Sequence, residues 1–113
     1  MTKVTITKLN SNITEIECDG HTVYGVSCED IVCSALSSIV QTAVLGVVDV
    51  AGVNAKVTRD DQRGYLKLII PEGITEDQRH DVNVILETML CGVGDLYSGY
   101  SDFIELEVID NVY

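Results

Sequence analysis

An α+β fold, with one mostly antiparallel sheet packed against two helices in the order ββαββαβ, is what the amino-acid sequence predicts. Three observations carry this expectation. Short runs alternate apolar and polar residues with period two, two longer segments repeat apolar residues three and four apart, and turn residues separate the paired runs. The 113 residues read as a single domain, 1–113, long enough for one core and too short for two.

Val4 and Ile6 alternate with threonines, Asn10-Ser11-Asn12 supply a turn, and Thr14, Ile16 and Cys18 alternate with glutamates, so the chain opens with a hairpin. Ser27, followed three residues later by Asp30, signals a helix start: the hydroxyl caps a free amide and the acid favours the positive helix end. The first helix is expected from about residue 28 towards Val50, with Gly52 near its end. Val57 and the run Tyr65, Leu66, Leu68, Ile69 and Ile70 flank the polar turn 59–64, a second hairpin closed by Pro71-Glu72-Gly73. Thr75 and Gln78 form another capping signature, ahead of Val82, Ile85, Leu86, Met89, Leu90 and Val93 at helical spacing. Gly92 and Gly94 weaken that helix near its end, and the final run FIELEVI puts Ile104, Leu106 and Val108 on one strand face.

Seven basic residues against eighteen acidic ones leave a formal charge of -11. That balance disfavours nucleic acid and anionic membrane and favours a basic partner. No continuous apolar run reaches the roughly 18 residues of a membrane span, and MTKVTITKLN lacks the apolar core of a signal peptide. A cytoplasmic protein is therefore expected, with its four cysteines as reduced thiols. There is no internal repeat, low-complexity tract or linker to carry a second module.

Chemistry concentrates in GHTVYGVSCEDIVCSALS, residues 20 to 37, which holds one of two histidines and two of four cysteines. Cys18, His21, Cys28 and Cys33 raise the question of a metal. If Ser27 caps the helix, however, Cys28 and Cys33 stand five residues apart on it. At about 100° per residue their side chains diverge by roughly 140°, so no metal is expected. The cysteine spacings include no Cys-x-x-Cys pair, which removes thioredoxin-like redox chemistry.

A thiol nucleophile with His21 as its base is the remaining chemical reading, since a neutral imidazole takes a thiol proton near pH 7. His80, in the charged stretch DQRHD, reads as a solvated group. The helix dipole favours Cys28 in the first turn. Helical projection instead puts Val32, Leu36, Ile39, Val40, Ala43, Val47 and Val48 in one apolar sector with Cys33 and Ser37 at its edge, a half-buried thiol at the helix mouth. Free cysteine is also a common packing residue, the reading given to Cys18, and Ser37 is read as packing too. The residues alone leave Cys28 and Cys33 both open.

Gly20-His21, Asp30-Ile31-Val32-Cys33 twelve positions after the histidine, and Ser37 four further on resemble the ribosomal-processing cysteine protease family, Prp. The similarity extends through DDQRGYLKLII, VILETML and DFIELEV to the whole chain. It implies a cytoplasmic, dimeric cysteine endopeptidase without cofactor, which removes an N-terminal extension from the large-subunit ribosomal protein conventionally numbered twenty-seven. By matching position it implies Cys33 as nucleophile and His21 as general base. Thr22 and Cys28 depart from the alanine and glycine that the family carries there. Asp30 is read as a cap partner rather than a third catalytic group. Dimerisation, implied by the resemblance, would use Ile31, Ala35 and Leu45, which lie outside the main apolar sector. The rival reading is a non-catalytic module that grips a basic peptide or ribosomal protein.

Overall fold

The computed structural model describes residues 2–20, 27–60, 62 and 64–111, with side chains in the first helix described from residue 31 onward. Strands β1 (Thr2–Leu9) and β2 (Asn12–Gly20) lead to helix α1 (Ser27–Leu45), which continues through a wide turn, Gly46–Val50. Strands β3 (Lys56–Asp60) and β4 (Tyr65–Ile69), helix α2 (Glu76–Gly99) and strand β5 (Ile104–Asn111) follow. The ββαββαβ order is thus borne out. The strands form one sheet in the order β3-β4-β2-β1-β5, antiparallel except where β1 pairs parallel with β5.

The first turn works because Asn10 and Ser11 both adopt positive φ, 51° and 70°, the left-handed pair that matches strand twist in a two-residue hairpin. One correction follows directly. Register slips between Thr7 and Lys8, so Thr14 becomes a bulge and Ile13, not Thr14, joins Ile16 and Cys18 in the core. The Ile13 amide donates to Asn83 Oδ1 of α2 at 3.2 Å, and Asn83 Nδ2 donates to Asn12 Oδ1 at 2.8 Å, tying α2 to the turn.

Both helices cover one sheet face, onto which Val4, Ile6, Ile13, Ile16, Leu68 and Ile104 project, each 0–1% exposed. Burial at that level contributes roughly 1.5–3 kcal/mol per side chain. The opposite face carries polar pairs: Lys67 with Glu15 at 3.0 Å, Lys3 with Glu107 at 3.4 Å, and the Tyr65 hydroxyl donating to Glu17 at 2.7 Å. An antiparallel sheet with one solvated face alternates in this way.

Helix α1 starts at Ser27, within one residue of expectation. The capping roles of Ser27 and Asp30 concern side chains outside the described residues. Val32, Leu36, Val40, Ala43 and Val47 are buried as the projection required, but Val48 is exposed. After Gly46 the helix widens, the Ala51 amide donating to Gly46 O at 2.9 Å, and the altered angular step carries Val48 outward. The 20-residue segment Ile31–Val50, whose mean hydropathy reaches 2.0, is long and apolar enough by length and composition to cross a membrane. Counting continuous apolar runs missed it because Ser, Thr, Gln41 and Asp49 interrupt the run while its many Val, Ile and Leu residues keep the mean high. Here its apolar stripe packs on the sheet.

Thr75 caps α2 through the anticipated reciprocal pair, Gln78 N to Thr75 Oγ1 at 3.1 Å and Thr75 N to Gln78 Oε1 at 3.0 Å. Gly92 and Gly94 do not end this helix. It runs to Gly99 because buried Val93 and partly buried Leu96 keep packing beyond them, and tertiary contact outweighs propensity. On β5, Ile104 is buried, Leu106 half-buried and Val108 exposed. Helix α2 reaches Lys8 on β1 and Asn12 and Ile13 on β2 through Glu87 and Asn83, and Val108 on the edge strand is left 47% exposed.

Gly64 sets how closely the second hairpin approaches β2. Its φ is +71°, and a Cβ there would lie 2.6 Å from Gly20 O. Gly64→Ala should therefore lower stability by more than ~1 kcal/mol in urea unfolding, through left-handed strain plus a backbone clash. Gly94→Ala, in a helix interior with nothing within 4 Å of the added Cβ, should raise it by roughly 0.5–1 kcal/mol.

Candidate active site

The α1 stripe that fills the core also fixes the direction of its neighbours. With Val32 and Leu36 each 1% exposed against the sheet, Cys33 falls at the edge of the buried sector and is half-buried. It is the seventh residue of α1, in the second turn, as expected. Its thiol opens onto a cleft of about 580 Å³ between α1 and the β2–β4–β3 side of the sheet. Cys18, Gly20 and Leu66 line the cleft from the sheet, Leu36, Ser37 and Val40 line it from α1, and Arg59, Gly64 and Tyr65 line it from the second hairpin. The cleft exists because β3 carries no helix above it: all five of its residues are exposed.

Backbone contacts fix the rim. The Gly20 amide donates to Gly64 O at 2.9 Å where β2 meets the second hairpin. Thr2, 5% exposed at the start of β1, pairs with Gly20 and places its hydroxyl 3.2 Å from Cys33 Sγ. Thr2 went unremarked in the sequence, although parity would have found it: residues 2, 4 and 6 share the core face of one strand.

The four thiols separate by environment. Cys18 lies buried on the helix-facing side of β2, and burial, reinforced by the charges of Asp19 and Cys33, pushes its thiol up to about 12. It stays protonated at neutral pH and acts as the packing group it was read to be. Cys91 is an exposed free thiol on α2, away from the cleft lining. Cys28 belongs to the first turn of α1, but its side chain lies outside the described residues, as does that of Asp30. Among the described residues Cys18, Cys33 and Cys91 are free thiols.

His21, the residue after Gly20, lies outside the described residues, so the distance from its imidazole to Cys33 is not part of the geometry. His80 is exposed on α2 with Nδ1 3.2 Å from Asp81 Oδ1, in keeping with a solvated group. Ser37 is also exposed and accepts a hydrogen bond from Gln41 Nε2 at 2.7 Å, one turn along the helix. It lines the cleft, and among the described residues Cys33 is hydrogen-bonded to Thr2 rather than to Ser37. The geometry thus brings Cys33, Cys18, Thr2, Gly20 and Ser37 to one cleft and leaves His80 and Cys91 elsewhere.

A half-buried thiol at the mouth of an open groove is a candidate nucleophile, and known proteins offer a separate comparison for the chain as a whole. Residues 1–105 match the family model described as cysteine protease Prp. The ribosomal processing cysteine protease Prp of Bacillus subtilis (strain 168) is 25% identical over 103 residues, covering 91% of this chain and 90% of its own length. SMU.848 from Streptococcus mutans shares the fold at a TM-score of 0.87 and 23% identity, covering 98% of this chain and 96% of that one. The essential ribosomal processing protease Prp from S. aureus, solved with a substrate peptide, shares it at 0.80 and 24% identity, covering 96% and 99%. Since the family match takes in both hairpins, both helices and the start of β5, this chain belongs to the cysteine protease Prp family and is a cysteine protease.

Proposed function

We propose that this chain is an endopeptidase that removes a short N-terminal extension from the large-subunit ribosomal protein conventionally numbered twenty-seven, with Cys33 as nucleophile and His21 as general base. The observation that carries this reading is the placement of Cys33: a half-buried thiol opening onto a cleft whose lining includes Gly20, the residue before His21. Cys18 lines the same cleft but remains a neutral thiol, and the thiolate is the attacking species. The formal charge of -11 supports a basic protein substrate by long-range attraction, and the B. subtilis relative bears a ribosomal-processing name. The same site in a cytoplasmic enzyme needs no cofactor.

In this mechanism His21 takes the proton of Cys33, and the thiolate attacks the scissile carbonyl carbon. The tetrahedral intermediate collapses as His21 protonates the leaving amine, and water then hydrolyses the thioester. The amides of the first turn of α1, which have no acceptor within the helix, are the donors that this mechanism assigns to the oxyanion. A structure of the S. aureus relative carries a covalently linked product peptide, and a thiol nucleophile requires a covalent intermediate.

The active enzyme is, on this reading, a homodimer that covers the exposed side of α1, where Ile31 is 67% and Leu45 59% exposed. Light scattering at micromolar concentration should give a dimer mass, lost in Leu45→Glu; a monomeric wild type would contradict the assembly.

Incubation with a peptide spanning an extended ribosomal N-terminus should yield two products by mass spectrometry. Cys33→Ala should lower the rate at least about a thousandfold, and His21→Ala roughly 10²–10⁴-fold. Cys28→Ala should retain activity; cleavage that survives Cys33→Ala and disappears in Cys28→Ala would reverse the assignment.

Cys18 generates a separate expectation. Iodoacetamide at pH 8 should leave Cys18 unlabelled in the native protein and label it once urea unfolds the chain. In the unfolded chain this thiol ionises from about 9, whereas in the fold it resists to about 12. The stability tied to its neutral form is therefore complete below pH 9 and declines as the pH rises towards 12.

A further inference from the structure

We propose that Thr2 is a positioning residue for the nucleophile: its hydroxyl holds Cys33 Sγ at the mouth of the cleft and donates to it when the thiolate forms. This rests on the reading of Cys33 as nucleophile.

Three features fix the hydroxyl. Thr2 is 5% exposed, its amide donates to Phe103 O at 3.0 Å, and it sits between Gly20 on β2 and Ile104 on β5 in register. A Cβ on Gly20 would lie 2.9 Å from Thr2 Oγ1 and 3.2 Å from its Cγ2, so the glycine before His21 makes the space that this side chain occupies. Within that space Oγ1 lies 3.2 Å from Cys33 Sγ.

While Cys33 is a thiol, either group can donate. Once the proton has left, sulfur has only lone pairs to offer, and the hydroxyl must donate. The contact then becomes a charge-assisted hydrogen bond, stronger than its neutral form, and favours the ionised state. It also orders the sulfur rotamer, which a thiol at the edge of a packed stripe would otherwise share among several. The anchor comes from β1, so the nucleophile on α1 is registered directly to the sheet that carries Gly20.

The titratable and charged groups that share the cleft with Cys33 are Cys18 from β2 and Arg59 from β3, while Tyr65 of β4 reaches the rim with its hydroxyl turned to Glu17 on the opposite sheet face. Among the described residues β1 and α1 add none besides Cys33 itself. All three are unchanged in variants at position 2, so their effects cancel in a comparison with wild type.

The test is peptide-mapped alkylation of Cys33 by iodoacetamide in wild type, Thr2→Val and Thr2→Ser, at pH 7 and pH 10, with exposed Cys91 as internal control. Valine keeps the shape and removes the donor, whereas serine keeps the donor. Thr2→Val should slow Cys33 labelling roughly three- to tenfold at pH 7. At pH 10, above the usual thiol range, the difference should shrink to within about twofold. Thr2→Ser should label at pH 7 within about twofold of wild type, and Cys91 should label equally in all three. Equal rates in wild type and Thr2→Val at pH 7 would overturn the inference, as would a loss of the same size in valine and serine variants at both pH values. Cleavage that persists in Cys33→Ala would instead overturn the nucleophile reading, separately from the labelling comparison.

Discussion

The burial of a single stripe on α1 determines the site. Val32, Leu36, Val40 and Val47 are each at most 1% exposed, and each contributes roughly 1.5–3 kcal/mol through removal from water. Turning the helix far enough to bury Cys33 would lift part of that stripe into solvent at a cost of several kcal/mol. The dipole advantage of a thiol in the first turn is only about 0.3–1 kcal/mol. Packing of the stripe therefore outweighs any dipole preference in setting how α1 turns, and Cys33 is left half in and half out because its neighbours must be in.

The remaining parts of the site depend on the same economy of cover. Two helices lie over five strands, and β3 receives none of that cover, so a groove opens between α1 and the second hairpin. Close backbone approach draws its rim together at Gly20 and Gly64, where side chains would intervene. Gly20 thereby serves two neighbours at once: the hairpin backbone against its amide and the Thr2 side chain against its Cα. A buried core and an open groove arise from the same packing.

Element order was legible because each element carries a local signal. Period-two alternation marked the strands, and Thr75 with Gln78 marked the start of α2 in the form that the structure shows. What escaped was non-local. The bulge that exchanged Thr14 for Ile13 depends on α2 supplying Asn83 to the Ile13 amide, a partner 70 residues away. Gly92 and Gly94 were read by propensity, yet Val93 and Leu96 hold the helix through packing that no local window contains. At the site, helical angle was enough to put Cys33 on an edge, and the family spacing was needed to prefer it to Cys28. Thr2, 31 residues from Cys33, meets it only through the strand register that pairs position 2 with Gly20.

The most direct test of the proposal that Cys33, held half-buried by packing on α1, is the nucleophile is to catch the covalent intermediate. Wild-type protein mixed with an extended ribosomal N-terminal peptide, acid-quenched within the first turnover and mapped by mass spectrometry, should carry the acyl product fragment as a thioester on Cys33. An acyl fragment on Cys28, or turnover with no covalent species on any cysteine, would contradict the account.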